Sequence, residues 1–116
     1  MKYLLMIYGD ESIDENMSDA ELESLIGEYQ SFSEGIVASG NFLGGEALLP
    51  SLSASCLKIE DEKVIITDGP FIETKEQLGG YYLIEATDID EARIIASKIP
   101  NAKTGTIEIR PVMVFE

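Results

Sequence analysis

The segment from residue 68 to residue 80 holds the groups of this 116-residue sequence that are best suited to acid–base chemistry. Asp68 or Glu73 could carry a proton in a reaction of a small molecule, because a positioned carboxylate can act as a general acid or base. Lys75 could orient an anionic group of the same ligand. The alternative is structural: Asp68 would shape a turn, and a surface pair between Glu73 and Lys75 would contribute only about 0–1 kcal/mol.

Further candidates for ligand binding are spread along the chain. Arg110 shares one strand face with Glu108, so its guanidinium could hold an anion or could simply pair with that neighbour. Glu46 follows two glycines, which would let a ligand approach the backbone closely or would form a bulge. Tyrosines could line a pocket or could belong to the core with their hydroxyl groups at its rim. The tyrosines in question are Tyr8, Tyr29, Tyr81 and Tyr82.

The composition excludes several other chemistries. The sequence has no histidine and one cysteine, which argues against a serine or cysteine triad and against a zinc site. Acid–base work would therefore fall to carboxylates, lysine or tyrosine. We predict no metal and no cofactor, and we expect the lone Cys56 to be an inert buried thiol in an apolar strand.

The net charge limits the partners. Twenty-two acidic residues against eight basic ones give −14, so the chain repels phosphate and we expect no binding to nucleic acid. A neutral or cationic ligand, or a basic protein, fits better. No apolar run approaches the roughly 20 residues of a membrane span, and the apolar start is too short for an export signal. We therefore expect a cytoplasmic protein without a membrane segment.

The pattern of apolar residues predicts the elements that must position these groups. A continuous apolar run predicts a buried strand over residues 3–8, and the polar stretch 10–16 reads as a loop. Ser18 and Glu21 form a capping box that begins a helix of about 20 residues, which Gly40 ends. Residues 41–50 look like an extended connection rich in turns.

The second half of the chain predicts more strands and one helix. Strands over 53–59 and 63–67 would form a hairpin with Asp61 and Glu62 at its tip, and another strand would cover 81–86. Between Asp68 and Gly80, Phe71 would anchor the loop in the core. Asp88 caps a second helix that Pro100 ends, and residues 106–115 form the last strand.

This order of elements predicts the fold class. A strand, a helix, two or more strands, a helix and a strand give an α+β fold, the ferredoxin-like split β-α-β arrangement with an antiparallel sheet. We expect one domain over residues 1–116. Two helices can cover only one face of the sheet, yet the strands, including 63–67, are apolar on both faces. A homodimer in which two sheets face each other is the simplest cover.

Several segments together resemble a known bacterial family. They are Gly-Gly-Glu at 44–46, Thr-Asp-Gly-Pro-Phe at 67–71, Glu-Thr-Lys-Glu at 73–76, Leu-Gly-Gly-Tyr-Tyr at 78–82 and Glu-Ile-Arg-Pro-Val at 108–112. In these the sequence is similar to the DGPF-domain, or YCII-related, proteins. The resemblance implies a ferredoxin-like fold of the dimeric α/β-barrel group and, for many members, an association with alternative sigma factors. Related proteins carry a His–Asp pair proposed as catalytic, and this sequence lacks that histidine.

Two hypotheses of function follow. The first is a homodimeric module that binds a small molecule or a transcription-related protein partner, which the missing histidine and the sigma-factor association favour. The second is a small-molecule enzyme, isomerase- or lyase-like, with Asp68 or Glu73 as the proton carrier and Lys75 or Arg110 as the anion holder in a cleft between helix and sheet.

Overall fold

The computed structural model describes residues 1–115. Two short 3-10 turns, Ser51–Ser53 and Pro100–Lys103, join the larger elements. The helices and strands follow one another as β1 (Lys2–Gly9), α1 (Glu11–Glu15), α2 (Asp19–Ala38), β2 (Phe42–Ala47), β3 (Ser55–Glu60), β4 (Lys63–Asp68), β5 (Gln77–Glu85), α3 (Ile89–Ser97) and β6 (Thr106–Pro111).

The two long helices begin where their caps predict. The Ser18 hydroxyl accepts the Glu21 N–H at 3.1 Å and the Glu21 carboxylate accepts the Ser18 N–H at 3.4 Å, which confirms the capping box of α2. The Asp88 carboxylate accepts the Glu91 N–H at 2.9 Å and so caps α3. Gly40 follows α2 with a φ of 81°, the left-handed conformation that glycine adopts without strain. Over residues 1–115, no helix is both long and apolar enough to cross a membrane.

Four strands form one antiparallel sheet in the order β2-β5-β1-β6. β1 is central and pairs with β5 on one side and β6 on the other, with a register shift between Ile7 and Tyr8 that leaves Gly79 of β5 as an extra residue. With α2 and α3 as the connections, this order confirms the predicted α+β, ferredoxin-like fold.

The core lies between one face of this sheet and the two long helices. Tyr3, Leu5 and Ile7 alternate along β1 and are 2%, 0% and 8% exposed, respectively. Phe32 of α2 and Ile95 of α3 belong to the same buried cluster. Its other members are Ile36, Ile84, Ala86, Ala92, Ala96 and Ile99. Burial on one face only means that the helices shield half of the sheet.

Several predicted boundaries are wrong. The stretch taken for a loop holds α1, because the Asp10 carboxylate accepts the Ser12 N–H at 2.9 Å and caps a short helix. The stretch taken for a connection after Gly40 forms β2, an edge strand. β5 begins at Gln77 rather than at residue 81, and the last strand ends at Pro111.

The hairpin of β3 and β4 is a separate two-stranded sheet, which corrects its expected place beside the central strands. We call residues 55–68 the arm. Every arm residue in β3 and β4 is exposed except the half-buried Cys56. At the root of the arm, the Gly69 N–H donates to the Ala54 carbonyl at 2.7 Å. The arm therefore extends away from the core instead of adding to it.

The molecule is a flat slab with an unusually large surface. Its principal extents are 48 × 48 × 18 Å, and its radius of gyration is 16.2 Å, against about 13 Å for a compact domain of this length. The accessible surface is 8450 Å², whereas a compact monomer of 12.7 kDa exposes roughly 6,200 Å². The chain thus exposes roughly 2,200 Å² more than a compact monomer would.

Candidate functional site

The sheet face opposite the helices has no cover from residues 1–115, and we call it the open face. Side chains alternate along a strand, so the residues between the buried ones of β1 point to this face. The cross-strand register then assigns residues of the other three strands to it. The open face comprises Leu4, Met6, Tyr8, Gly44, Glu46, Leu78, Tyr81, Leu83, Thr106, Glu108 and Arg110.

One row of this face crosses all four strands. Glu46 lies opposite Tyr81, Tyr81 opposite Met6, and Met6 opposite Glu108. Directly opposed residues of an antiparallel pair have Cβ atoms about 4.5–5.5 Å apart, so these side chains are neighbours. Tyr8 and Arg110 lie on the same face. The fold thus gathers four of the predicted ligand-binding residues on one surface: Tyr8, Glu46, Tyr81 and Arg110.

Tyr8, Glu108 and Arg110 form a charged group at one side of this face. The Arg110 Nη1 atom lies 3.6 Å from Oε2 of Glu108. Partial burial raises the pKa of the Tyr8 phenol, and the charge and hydrogen bonding of Glu108 raise it further, while the Arg110 charge opposes them. Tyr8 therefore keeps its proton at neutral pH and can donate a hydrogen bond.

A cleft of about 1630 Å³ lies where the open face meets the root of the arm. It exceeds the roughly 300–1,000 Å³ of typical ligand pockets because it is open to solvent on one side. Its polar side includes Thr106, whose hydroxyl donates to Oε1 of Glu76 at 2.7 Å. The apolar lining comes from Leu48, Leu49, Pro70, Phe71, Ile72 and Leu78.

Helix α1 fixes one wall of the cleft. The Glu11 carboxylate accepts the Ser51 N–H at 2.7 Å with one oxygen and the Ser51 hydroxyl at 2.8 Å with the other. The Glu11 N–H donates to the Gln77 side-chain oxygen at 3.0 Å. Sequence reasoning missed these three residues because it assigned no helix after Asp10, although an Asp followed by acidic and small polar residues is a helix-start signal.

The acidic candidates of the 68–80 segment lie apart from the cleft lining. Asp68 is exposed at the end of β4, opposite Ser55 in the arm. Glu73 is exposed in the loop before β5. Lys75 lines the cleft. Hydrogen bonds from Ser12 hold the pKa of Asp10 below its usual range, and the Lys75 charge adds a smaller effect in the same direction. The structure therefore places only Lys75 of these three at the cleft.

Tyr29 belongs to α2 and therefore lies on the other side of the sheet. Its hydroxyl donates to Oδ1 of Asn101. Burial raises the pKa of the phenol to about 12, although the hydrogen bond with Asn101 opposes this shift. Nearby, the hydroxyls of Ser33 and Tyr82 are 2.8 Å apart. Tyr29 thus lies on the helix-covered side of the sheet, away from Tyr8, Tyr81 and Arg110.

Two further expectations are corrected by the arm and its loop. Phe71 does not anchor the core, since its side chain is 85% exposed at the edge of the cleft. Cys56 belongs to the arm rather than to a buried strand, and its thiol donates to the Gly69 carbonyl at 3.3 Å. Both errors share one cause, because the sequence does not reveal that the arm leaves the central sheet.

Fold and surface together define a class: a ferredoxin-like α+β domain with one helix-covered face, one open face and an inserted hairpin. Comparison with known proteins then gives the family. The model of the YCII-related domain matches residues 1–116, and the chain belongs to this family. It is 35% identical over 118 residues to an uncharacterized protein of Rhizobium meliloti (strain 1021), an alignment that covers 100% of this chain and 95% of that protein.

Proposed function

We propose that this chain is a homodimeric binding module that takes up a small neutral or cationic molecule in the cleft. The observation that carries the proposal is the make-up of the cleft, which joins apolar walls to a small set of hydrogen-bonding groups. Tyr8 offers a donor, and Glu76 and Glu108 offer acceptors. Ligand sites in proteins commonly combine an apolar lining with a few convergent polar groups of this kind.

The charges at the cleft favour a cation over an anion. Glu76 and Glu108 both line it, while Lys75 is the single basic residue among its described lining. Arg110 pairs with Glu108 but is not itself part of the cleft lining. The chain carries −14 overall, and such a field attracts cations and repels anions at a distance.

A binding experiment tests the class of ligand with two probes of similar size and opposite charge. We expect calorimetric titration to give a lower Kd for benzylammonium than for benzoate. Glu108→Gln should weaken binding of the cation by about tenfold, because a charge-assisted hydrogen bond is lost. Glu62→Gln, which removes the same charge at the tip of the arm, is the matched control. Tighter binding of benzoate would refute the assignment.

The dimer is supported by the surface that one chain leaves uncovered. Leu4, Met6 and Leu83 form apolar centres of the open face, and they are only partly buried. Each chain exposes roughly 2,200 Å² of surface beyond that of a compact monomer. Permanent homodimers bury about 2,000–5,000 Å², counted over both chains, so this excess is large enough for such an interface. A two-fold dimer would bring this face against the same face of a second copy.

Sedimentation equilibrium tests the dimer directly. We expect a mass of about 25.4 kDa, twice 12.7 kDa, at low micromolar concentration. Met6→Glu should shift the mass toward the monomer because it places a charge in the centre of the open face. Ile94→Glu adds the same charge to an exposed site on α3 and should leave the mass unchanged. A monomeric wild-type protein would contradict the proposal.

A small-molecule enzyme is the second candidate, and the proximity of Tyr8 to Glu108 favours it. A protonated phenol beside a carboxylate can pass a proton to and from a bound molecule. The exposure of Asp68 and Glu73 speaks for the binding module instead, since neither carboxylate is shielded from water. Isomerase assays on ligands found by titration distinguish the two. Turnover by the wild-type chain that is lost in Tyr8→Phe would support the enzyme, and binding without turnover in the wild-type chain would support the module.

The transcription-related protein partner is a prediction of the family resemblance, whereas the cytoplasmic location is predicted from the single cysteine and from the lack of a long apolar run. The charge of −14 supports a basic partner, since opposite charges steer association. Co-purification of the chain with an alternative sigma factor from its own organism, lost above moderate salt, is the expected result. Retention at high salt would refute an electrostatic association.

A further inference from the structure

We propose that the arm is a clasp whose apolar face packs against a second copy of this chain. The inference deepens the proposed homodimer and rests on it: the arm would extend the contact that begins at the open face. The arm is a separate two-stranded sheet, in addition to the four-stranded sheet that defines the fold.

One side of the arm is a continuous apolar surface. Leu57 lies opposite Ile66, and Ile59 lies opposite Val64. Since directly paired residues share a face, these four side chains form one cluster. They are 64%, 64%, 65% and 58% exposed, in the order named. Four large apolar side chains in contact with water on a single face mark an interaction surface rather than scattered surface residues.

The turn at the tip of the arm has a backbone conformation that costs free energy, and the two strands of the arm alone do not offset this cost. Asp61 and Glu62 have φ values of 48° and 66°, so both central residues of the turn are left-handed without being glycine. Such a turn matches the twist of a hairpin and fixes its register. A lone two-stranded hairpin is at best marginally stable in water. A second surface against the apolar face would supply the missing stabilisation.

The charges of the arm lie mostly on one side, and Asp68 at the root is the one ionisable residue of β3 and β4 on the apolar side. The apolar face has no ionisable group among its four central residues, whereas Lys58, Glu60 and Lys63 point to the other side with Ile65. Two copies of a chain with a charge of −14 repel each other, so a contact between them needs uncharged surface. The arm offers such a surface and keeps its charged side for water.

The position of the arm connects it to the open face. Ala54 and Pro70, which flank the arm, both line the cleft at the end of that face. Six residues of strand extend the arm by about 20 Å from this point. A copy seated on the open face therefore lies within reach of the arm. The uncovered area of the chain, beyond that of a compact monomer, is large enough for both contacts.

The test measures the dimer dissociation constant of arm variants by sedimentation equilibrium. We expect Ile59→Asp and Val64→Lys each to weaken dimerisation by about 100-fold or more, because each change places two charges in one symmetric interface. Ile65→Lys, on the charged side of the same hairpin, is the matched control and should leave the constant within about twofold. Neither altered arm residue belongs to the buried core, so circular dichroism should show unchanged folding of the central domain.

The outcomes separate the arm from the homodimer itself. A wild-type dimer with unchanged affinity in Ile59→Asp and Val64→Lys overturns the clasp and leaves the open-face dimer standing. Equal weakening by Ile65→Lys also overturns it, because the effect would not be specific to one face. A monomeric wild-type chain overturns both. In the supporting result, the arm amides also exchange slowly in the dimer and lose this protection on dilution, while the core amides keep theirs.

Discussion

The two faces of the central sheet have similar side chains and very different surroundings. Along β1, Leu5 is fully buried beneath the helices, whereas its neighbour Leu4 on the open face is only partly covered. Both are leucines in the same strand. An apolar residue in a strand therefore indicates burial without showing whether a helix of the same chain or a second molecule covers it.

The largest expected effect on the free energy of unfolding comes from comparing alanine substitutions of the two leucines, Leu5 and Leu4. Leu5→Ala should lower the free energy of unfolding by about 2–5 kcal/mol, because it leaves a cavity under α2 and α3. Leu4→Ala should cost about 1 kcal/mol or less at concentrations where the chain is monomeric. Urea unfolding at low protein concentration measures both. Equal losses would show that the open face is as well packed as the covered one.

Alanine substitution of two neighbouring glycines in β2 should have an intermediate effect on the free energy of unfolding. A Cβ atom on Gly45 would lie 2.8 Å from both the Tyr81 carbonyl oxygen and Cδ1 of Tyr82, whereas one on Gly44 would meet no atom within 4 Å. Gly45→Ala should therefore cost about 1–3 kcal/mol through overpacking. Gly44→Ala should be neutral or stabilising by up to about 1 kcal/mol. Thermal unfolding of both variants checks the prediction, and a destabilised Gly44→Ala would mean that the open face is crowded.

The smallest expected effect on the free energy of unfolding appears only at high pH and comes from a residue on the covered face. The pKa of Tyr29 is raised in the folded chain from 10.0 to about 12, so above pH 10 the unfolded chain loses this proton first. Stability from this group is complete below pH 10 and is lost as the pH rises from 10 to about 12. Tyr29→Phe should flatten the fall in unfolding free energy over this range. Tyr81→Phe, on the open face, is the control. If the unfolding free energy of Tyr29→Phe fell with pH as steeply as that of the wild-type chain, the assignment of this pH dependence to Tyr29 would be refuted.

The sequence predicts the elements with strong local signals. Ser18 with Glu21, and Asp88 with Glu91, mark helix starts through side-chain to backbone hydrogen bonds that depend on a few adjacent residues. β1 is equally clear from its apolar run. β2 escaped because an exposed edge strand with two glycines has neither an apolar run nor a clean alternation. The separation of the arm from the central sheet was not predicted either, since no local sequence pattern distinguishes a hairpin within a sheet from a hairpin outside it.

The candidate site was predicted in part, for a similar reason. Strand alternation places Glu108 and Arg110 together, and their pairing needs no knowledge of the fold. That Tyr8 and Tyr81 join them depends on the register between β1 and its neighbours, including the shift at Gly79. Helical residues such as Tyr29 lie above the opposite face, which becomes evident only when the helix is docked on the sheet.

The slab-like outline has a consequence for scattering experiments. One chain is about 2.7 times as wide as it is thick, given extents of 48 Å and 18 Å, and would scatter X-rays as a disc. Stacking two such discs face to face doubles the short axis to about 36 Å, so the particle approaches a sphere while its mass doubles. The pair-distance distribution should then change from skewed to nearly symmetric, with little increase in the maximum dimension.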